Sequence, residues 1–212
     1  MIEIKRKLII FGAGNFAEEV LDIAIEAGFE VECFVEGINR NLSGKKIKDI
    51  PVIWIDDITN YNNSHLFLCG IGSPMRKQLI EKISRNGLDF INVIHPTAHI
   101  SSSTKMGKDI FVSAGSIIAA ACSIGNHVII NRAAIIGHHV NIENYVTISP
   151  GANIGGNTSI GEGSYIGIGA IVLDHISIGR NTIVGAGAVV TKNVPDFVQV
   201  LGIPARITKE LS

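Results

Sequence analysis

The chain has 212 residues, 46% hydrophobic and 17% charged, with a formal net charge of -1, which suits a globular protein with a large core in one large or two small domains. Near-neutral charge gives no basic footprint for nucleic acid, and no run approaches the roughly 20 apolar residues of a membrane span. Cys33, Cys69 and Cys122 are odd in number, far apart and set in apolar runs, so they read as reduced packing residues of a cytoplasmic protein, and the apolar run after the basic start Met1–Lys7 is too short for a signal peptide.

In chain order, Lys7–Phe11 reads as a strand, Ala17–Ala27 as a helix and Val31–Val35 as a second strand. The first strand and helix are joined by Gly12-Ala13-Gly14-Asn15-Phe16-Ala17. This fits G-x-G-x-x-G/A, a turn that brings backbone N–H groups against a phosphate at a helix N-terminus. Glu36, about twenty residues on, stands where an acidic side chain bonds a ribose hydroxyl. His65–Cys69 reads as a further strand and Pro74–Asn86 as a helix. The alternation predicts a small parallel sheet over residues 1–92, a Rossmann-like α/β domain. Only one nucleotide-binding half fits, which points to a mononucleotide portion such as that of a nucleotide-sugar. The alternative is that the glycines only make a tight turn.

From Ile94 to Val190 every sixth residue is aliphatic, with no gap. The residue four places after each is small or β-branched, and glycine often follows the aliphatic residue directly, as at Gly137, Gly155 and Gly161. A period of six fits neither a helix at 3.6 nor a lone strand at 2. It fits a triangular prism of short strands, a left-handed parallel β-helix over residues 93–212 with a C-terminal tail. The aliphatic residues point inward, and the glycines are expected to relieve the turns between faces.

The residue before each aliphatic one points outward, which defines three faces. The first carries Phe111, Ile129, Thr147, Tyr165 and Ile183; the second Ile117, Ile135, Asn153, Ile171 and Val189; the third Lys105, Ser123, Asn141, Ser159 and Ser177. Two apolar faces predict burial against neighbours in a homotrimer, with Arg132, Pro150 and Ile168 toward its axis.

Acyl transfer from a thioester needs a general base and an oxyanion donor. Of the seven histidines, His65 and His95 read as structural, and His99 lies in the first coil. His127 and His175 occupy turns. His138 and His139 share one turn, at the lip of the cleft expected between subunits, with Gly156 one coil above at about 4.8 Å. These two are the candidate catalytic residues, with His127 the rival. A zinc site of the γ-carbonic anhydrase kind is disfavoured, because His139 and His175 stack two coils apart, about 9.6 Å by strand spacing.

The chain resembles the sugar O- and N-acyltransferases of the sialic acid O-acetyltransferase type, which include the bacillosamine and perosamine N-acetyltransferases. The resemblance covers nearly the whole chain. It rests on Gly12-Ala13-Gly14, on Ile71-Gly72 with Arg76, and on Ile94-His95-Pro96. Further markers are Asn131 seven residues before His138, Pro150-Gly151-Ala152, and the closing Gly185-Ala186-Gly187-Ala188 with Gly202-Ile203-Pro204-Ala205. It implies His138 as general base, and acetyl-CoA, without metal, between subunits near Asn131, Thr147, Gly156, Ile168 and Ala186. It also implies a nucleotide-sugar on Gly12, Gly14, Asn15, Glu36, Ile71 and Gly72. This sequence departs from the family at three positions. His139 stands where Asp or Glu orients the base, Thr147 replaces a second histidine, and Asn15 replaces a histidine of the glycine loop. The expected activity is acetylation of an amino or hydroxyl group on a nucleotide-linked sugar. The alternatives are a free acceptor such as sialic acid or serine, a carbonic-anhydrase-like metalloenzyme, and an inactive trimerising scaffold.

Overall fold

The computed structural model describes residues 7–61, 64–73, 76–83 and 87–211, in two compact units, Met1–Ile94 and His95–Ser212.

The first unit contains β1 (Leu8–Phe11), α1 (Asn15–Glu26), β2 (Val31–Glu36), β3 (Lys46–Ile47), β4 (Ile50–Trp54), β5 (Leu66–Cys69) and α2 (Arg76–Ile83). Its sheet runs β3-β4-β2-β1-β5, parallel except for the β3–β4 hairpin. β1 lies between β2 and β5 and is fully buried, as its unbroken Leu-Ile-Ile-Phe run requires of a parallel strand covered on both faces. α1 buries Ala17, Val20, Leu21 and Ala24, the i, i+3, i+4, i+7 stripe of an amphipathic helix. The sequence reading contained no β3–β4 hairpin. Its turn places Lys48 at φ 47° and Asp49 at φ 69°, both left-handed, as a two-residue hairpin turn demands. The residues there are Lys-Asp rather than the Asn-Gly that signals such a turn. The helix expected over Pro74–Asn86 is seen as Arg76–Ile83; residues 74, 75 and 84–86 lie outside the described ones.

The second unit is a left-handed parallel β-helix. Strands pair in register with those eighteen residues on, as in Ile117↔Ile135 and Ile118↔Ile136. The inward Ile118, Ile136, Ile148, Ile160 and Ile166 are fully buried, with Ser116, Ala134 and Thr182 packed in the interior beside them. Turn geometry differs from the expectation. The glycine after each aliphatic residue is not the left-handed one. A Cβ on Gly137 would lie 2.7 Å from the Gly156 nitrogen, so glycine there permits close stacking of coils. The left-handed φ falls two residues later and recurs every sixth position, at Ala121, His127, Ala133, His139 and Tyr145 among others.

The outward faces also differ from one another. Ile117, Ile135 and Ile171 on the second face are 41–43% exposed, and the third face is polar and largely open. The first face is not the open strip expected for a subunit contact. Phe111, Ile129 and Thr147 are buried within the chain at 1%, 3% and 5% exposure, and Tyr165 and Ile183 are half-buried. Beyond the last repeat the tail forms Val198–Leu201, parallel to Ile183–Val184, and Arg206–Glu210, antiparallel to it.

Candidate active site

Each unit carries a candidate site of its own. In the first, a cleft of about 380 Å³ opens where β1, β2 and β5 end and α1 begins. Gly12, Gly14, Asn15, Glu36, Ile71 and Gly72 all line it, as do Phe16, Ile38, Asn39, Leu42 and Ser73, which the sequence reading did not single out. Gly12 is left-handed at φ 97°, and a Cβ there would lie 2.6 Å from Ile71 Cγ1. Gly14 is the extended N-cap of α1 with no side-chain cap, and its Cβ direction is open space. α1 thus begins at the cleft without a side-chain cap, and a helix N-terminus of this kind is suited to receive a phosphate. Glu36 is buried in the cleft wall. Its Oε1 accepts from the backbone N–H groups of Gly37, Ile38 and Asn39 at 2.9, 2.7 and 3.0 Å. One carboxylate oxygen thus shapes the cleft wall, and only Oε2 is left for a ligand. Arg76 lies buried beneath the same wall, its Nη1 3.5 Å from the Gly72 and Ser73 carbonyl oxygens.

In the second unit, each corner of the prism carries its own chemistry. On the corner between the second and third faces the exposed His138 ring lies against Gly156. A Cβ on Gly156 would fall 2.8 Å from His138 Cε1 and 2.9 Å from Nε2. His138 Nδ1 is 3.1 Å from His139 Nδ1, with the rings edge to face at 84°. Among the described residues no acceptor takes the Gly156 N–H, whereas its carbonyl is held by His175 N–H. On the corner between the third and first faces three of the equivalent N–H groups are capped by side chains: Lys108 by Asn126, Asn126 by Asn144, and Glu162 by Glu143. At His138 a basic nitrogen thus lies beside a backbone donor that has no acceptor among the described residues.

His127 sits on that capped corner, its Nδ1 2.7 Å from Asp109 Oδ2 and its ring stacked on Tyr145 at 4.8 Å. Its side chain is 15% exposed, and that of Asp109 is fully buried. The sequence reading missed Asp109, although its place eighteen residues before His127 puts it directly one coil below. The residues expected around acetyl-CoA divide between corners. Gly156 lies with His138. Ile168 and Ala186 are exposed on the corner between the first and second faces. Asn131, below them, is buried and donates from Nδ2 to Ile148 O at 3.1 Å, and Thr147 is buried on the covered first face. One chain alone does not bring these residues together. Among the described residues no group of three metal-ligating side chains occurs, and no helix is long and apolar enough to cross a membrane.

Comparison with known proteins covers both units. The family described as PglD N-terminal domain matches residues 7–83, and the bacterial transferase hexapeptide family (six repeats) matches residues 157–192. A histidine-to-asparagine mutant of perosamine N-acetyltransferase from Caulobacter crescentus, in complex with CoA and GDP-perosamine, is 30% identical. It superposes with a TM-score of 0.90 over 97% of this chain and 98% of that one. The acetyltransferase domain of PglB from Neisseria gonorrhoeae, in complex with acetyl coenzyme A, is 32% identical with a TM-score of 0.87, over 96% of this chain and 99% of that one. WeeI from Acinetobacter baumannii is 28% identical with a TM-score of 0.88, over 96% and 100%. No protein of curated function matches the sequence.

Proposed function

Because the chain belongs to the acetyltransferase family that joins a PglD-type N-terminal domain to transferase hexapeptide repeats, we infer that it acetylates a nucleotide-linked sugar from acetyl-CoA. The acceptor is an amino or hydroxyl group, and His138 is its general base. The observation that carries this reading is the His138 ring over Gly156, on an open corner, beside a backbone N–H without an internal acceptor. His138 Nε2 takes the acceptor's proton as its nitrogen or oxygen attacks the thioester carbonyl. Gly156 N–H donates to the oxygen that gains charge. The proton returns to the sulfur as the carbon–sulfur bond breaks, so the transfer is balanced without a metal. Acetyl-CoA supplies the activated acyl group.

The first-unit cleft is assigned to the nucleotide, with the diphosphate against the uncapped start of α1 and the Gly12–Gly14 backbone. We assign the working form to a homotrimer. The exposed Ile117, Ile135, Ile171 and Ile168 support it, as does the division of the acetyl-CoA residues between two corners that a neighbouring copy can bring together. The buried thiols of Cys33, Cys69 and Cys122, none of them in a disulfide among the described residues, suit a reducing cytoplasm, which fractionation of cells producing the protein checks.

His127 is the rival base, favoured by its bond to Asp109. The test is CoA release with a panel of nucleotide-linked amino and hydroxy sugars, by the native protein and by His138→Ala and His127→Ala. Turnover with a free sugar or serine, and none with any nucleotide-sugar, would assign a different acceptor.

A further inference from the structure

We propose that His139 is the positioning residue of His138 and that the two imidazoles share a single bridging proton. The proposal rests on the general-base reading of His138. Two Nδ1 atoms 3.1 Å apart hydrogen-bond only if one carries a proton and the other a lone pair. His138 can use Nε2 as a base only in the tautomer with the proton on Nδ1. His139 Nδ1 must then accept, and its own proton sits on Nε2, which faces solvent on an exposed side chain. With the ring centroids 5.2 Å apart, the two rings meet through the Nδ1 contact, and His138 Nε2 lies toward Gly156, 2.9 Å from where a Cβ there would stand.

The local backbone holds the acceptor in place. His139 occupies the left-handed turn position at φ 58°, and its N–H donates to Ala120 O at 2.9 Å. Its Cα is therefore fixed to the coil below, and the ring is presented to its neighbour.

An imidazole in this role differs from a carboxylate in one respect. It can take the bridging proton and give up its own from Nε2. The neutral pair then has two arrangements. In the first, His138 Nε2 is bare and His139 Nε2 is protonated; in the second, the bridging proton has moved to His139, His138 Nε2 is protonated and His139 Nε2 is bare. Only the first is productive. When His138 Nε2 accepts the acceptor's proton, both outer nitrogens are protonated and the positive charge is spread over two rings through the bridge. No atom is gained or lost, and the proton still returns from Nε2 to the leaving sulfur. A carboxylate removes the unproductive arrangement, since it holds the bridging proton on His138.

His139→Ala and His139→Glu test this. Alanine is compatible with the backbone, because Ala121 takes the same turn position one coil below at φ 58°, and thermal unfolding of each variant checks its fold. His139→Ala is expected to lower kcat roughly tenfold or more, a share of the 10²–10⁴ a positioned base supplies, with KM for both substrates nearly unchanged. His139→Glu is expected to keep kcat at or above the native value. Nitrogen-15 NMR of labelled histidine should show His138 Nδ1 protonated and Nε2 part-protonated in the native protein. It should show Nε2 bare in His139→Glu and an unbridged mixture in His139→Ala. The proposal is overturned if His139→Ala keeps native kcat, or if His139→Glu is as slow as His139→Ala. Loss of the general-base reading has a separate signature: His138→Ala retains turnover while the bridged nitrogen signal of the native protein persists.

Discussion

A methyl group on Gly156 would meet three atoms of the His138 ring between 2.8 and 3.1 Å. Those atoms belong to a side chain that can turn away, and no left-handed φ is involved, so Gly156→Ala should fold with little loss of melting temperature. It should also push the base off the reacting position, and displacement of about 1 Å can cost on the order of 10²-fold in rate. Steady-state kinetics beside thermal unfolding separates the two effects; unchanged kcat would mean that His138 does not work from the place it occupies. Position alone singled out this histidine in the sequence, because the six-residue register puts residues 138 and 156 on one corner. The register did not reveal the His127–Asp109 bond or the threefold use of Glu36 Oε1. Each depends on side-chain torsions that no periodicity records.

At the scale of elements, the glycine turn before α1 makes a sharp contrast between neighbours. Gly12 is left-handed and pressed against Ile71, so any side chain there disturbs the fold. Gly14 is extended and its Cβ direction is empty. Gly14→Val should therefore leave the unfolding temperature almost unchanged while filling the cleft, and calorimetry should show nucleotide-sugar affinity down by about tenfold or more (1.4 kcal/mol per tenfold), with acetyl-CoA affinity spared. Native binding by this variant would remove the cleft from the nucleotide's path.

On β2 of the same sheet, burial pushes the Cys33 thiol from 9.0 up to about 12, with the Glu32 charge adding to the rise. The folded chain keeps the proton that the unfolded chain gives up first. Stability should thus be indifferent to this group below about pH 9 and fall as pH climbs toward 12. Melting curves from about pH 8 to pH 11 should decline less steeply for Cys33→Ala than for the native protein; parallel declines would show that this thiol is not the cause.

The prism was legible because an inward side chain every six residues is a geometric necessity of three short strands per coil. The β3–β4 hairpin was not, since its left-handed turn is made by Lys48-Asp49 and Pro51 stands second in the returning strand. The Val198–Leu201 and Arg206–Glu210 pair lay beyond the last repeat, where the period that marked the rest no longer applies.

For the whole molecule, outward hydrophobicity alone left open which apolar face the chain covers itself. Phe111 and Ile129 are buried within it, and Ile135 and Ile171 remain open for a partner. Ile135→Asp combined with Ile171→Asp places charge on that open face without touching the prism interior, and should shift the sedimenting species from trimer to monomer. On the proposed trimer, acetyl transfer should fall with assembly, because Ile168 and Ala186 would then lack a facing copy. A native protein that already sediments as a monomer at micromolar concentration would end the shared-site account.

The most direct test of the central claim is acetyl transfer by His138→Ala and His127→Ala side by side, with acetyl-CoA affinity measured on both. His138→Ala should bind acetyl-CoA nearly as the native protein does and lose about 10²–10⁴ in kcat, while His127→Ala remains active. An inactive His127→Ala beside an active His138→Ala would move the chemistry to the Asp109 corner and contradict the assignment.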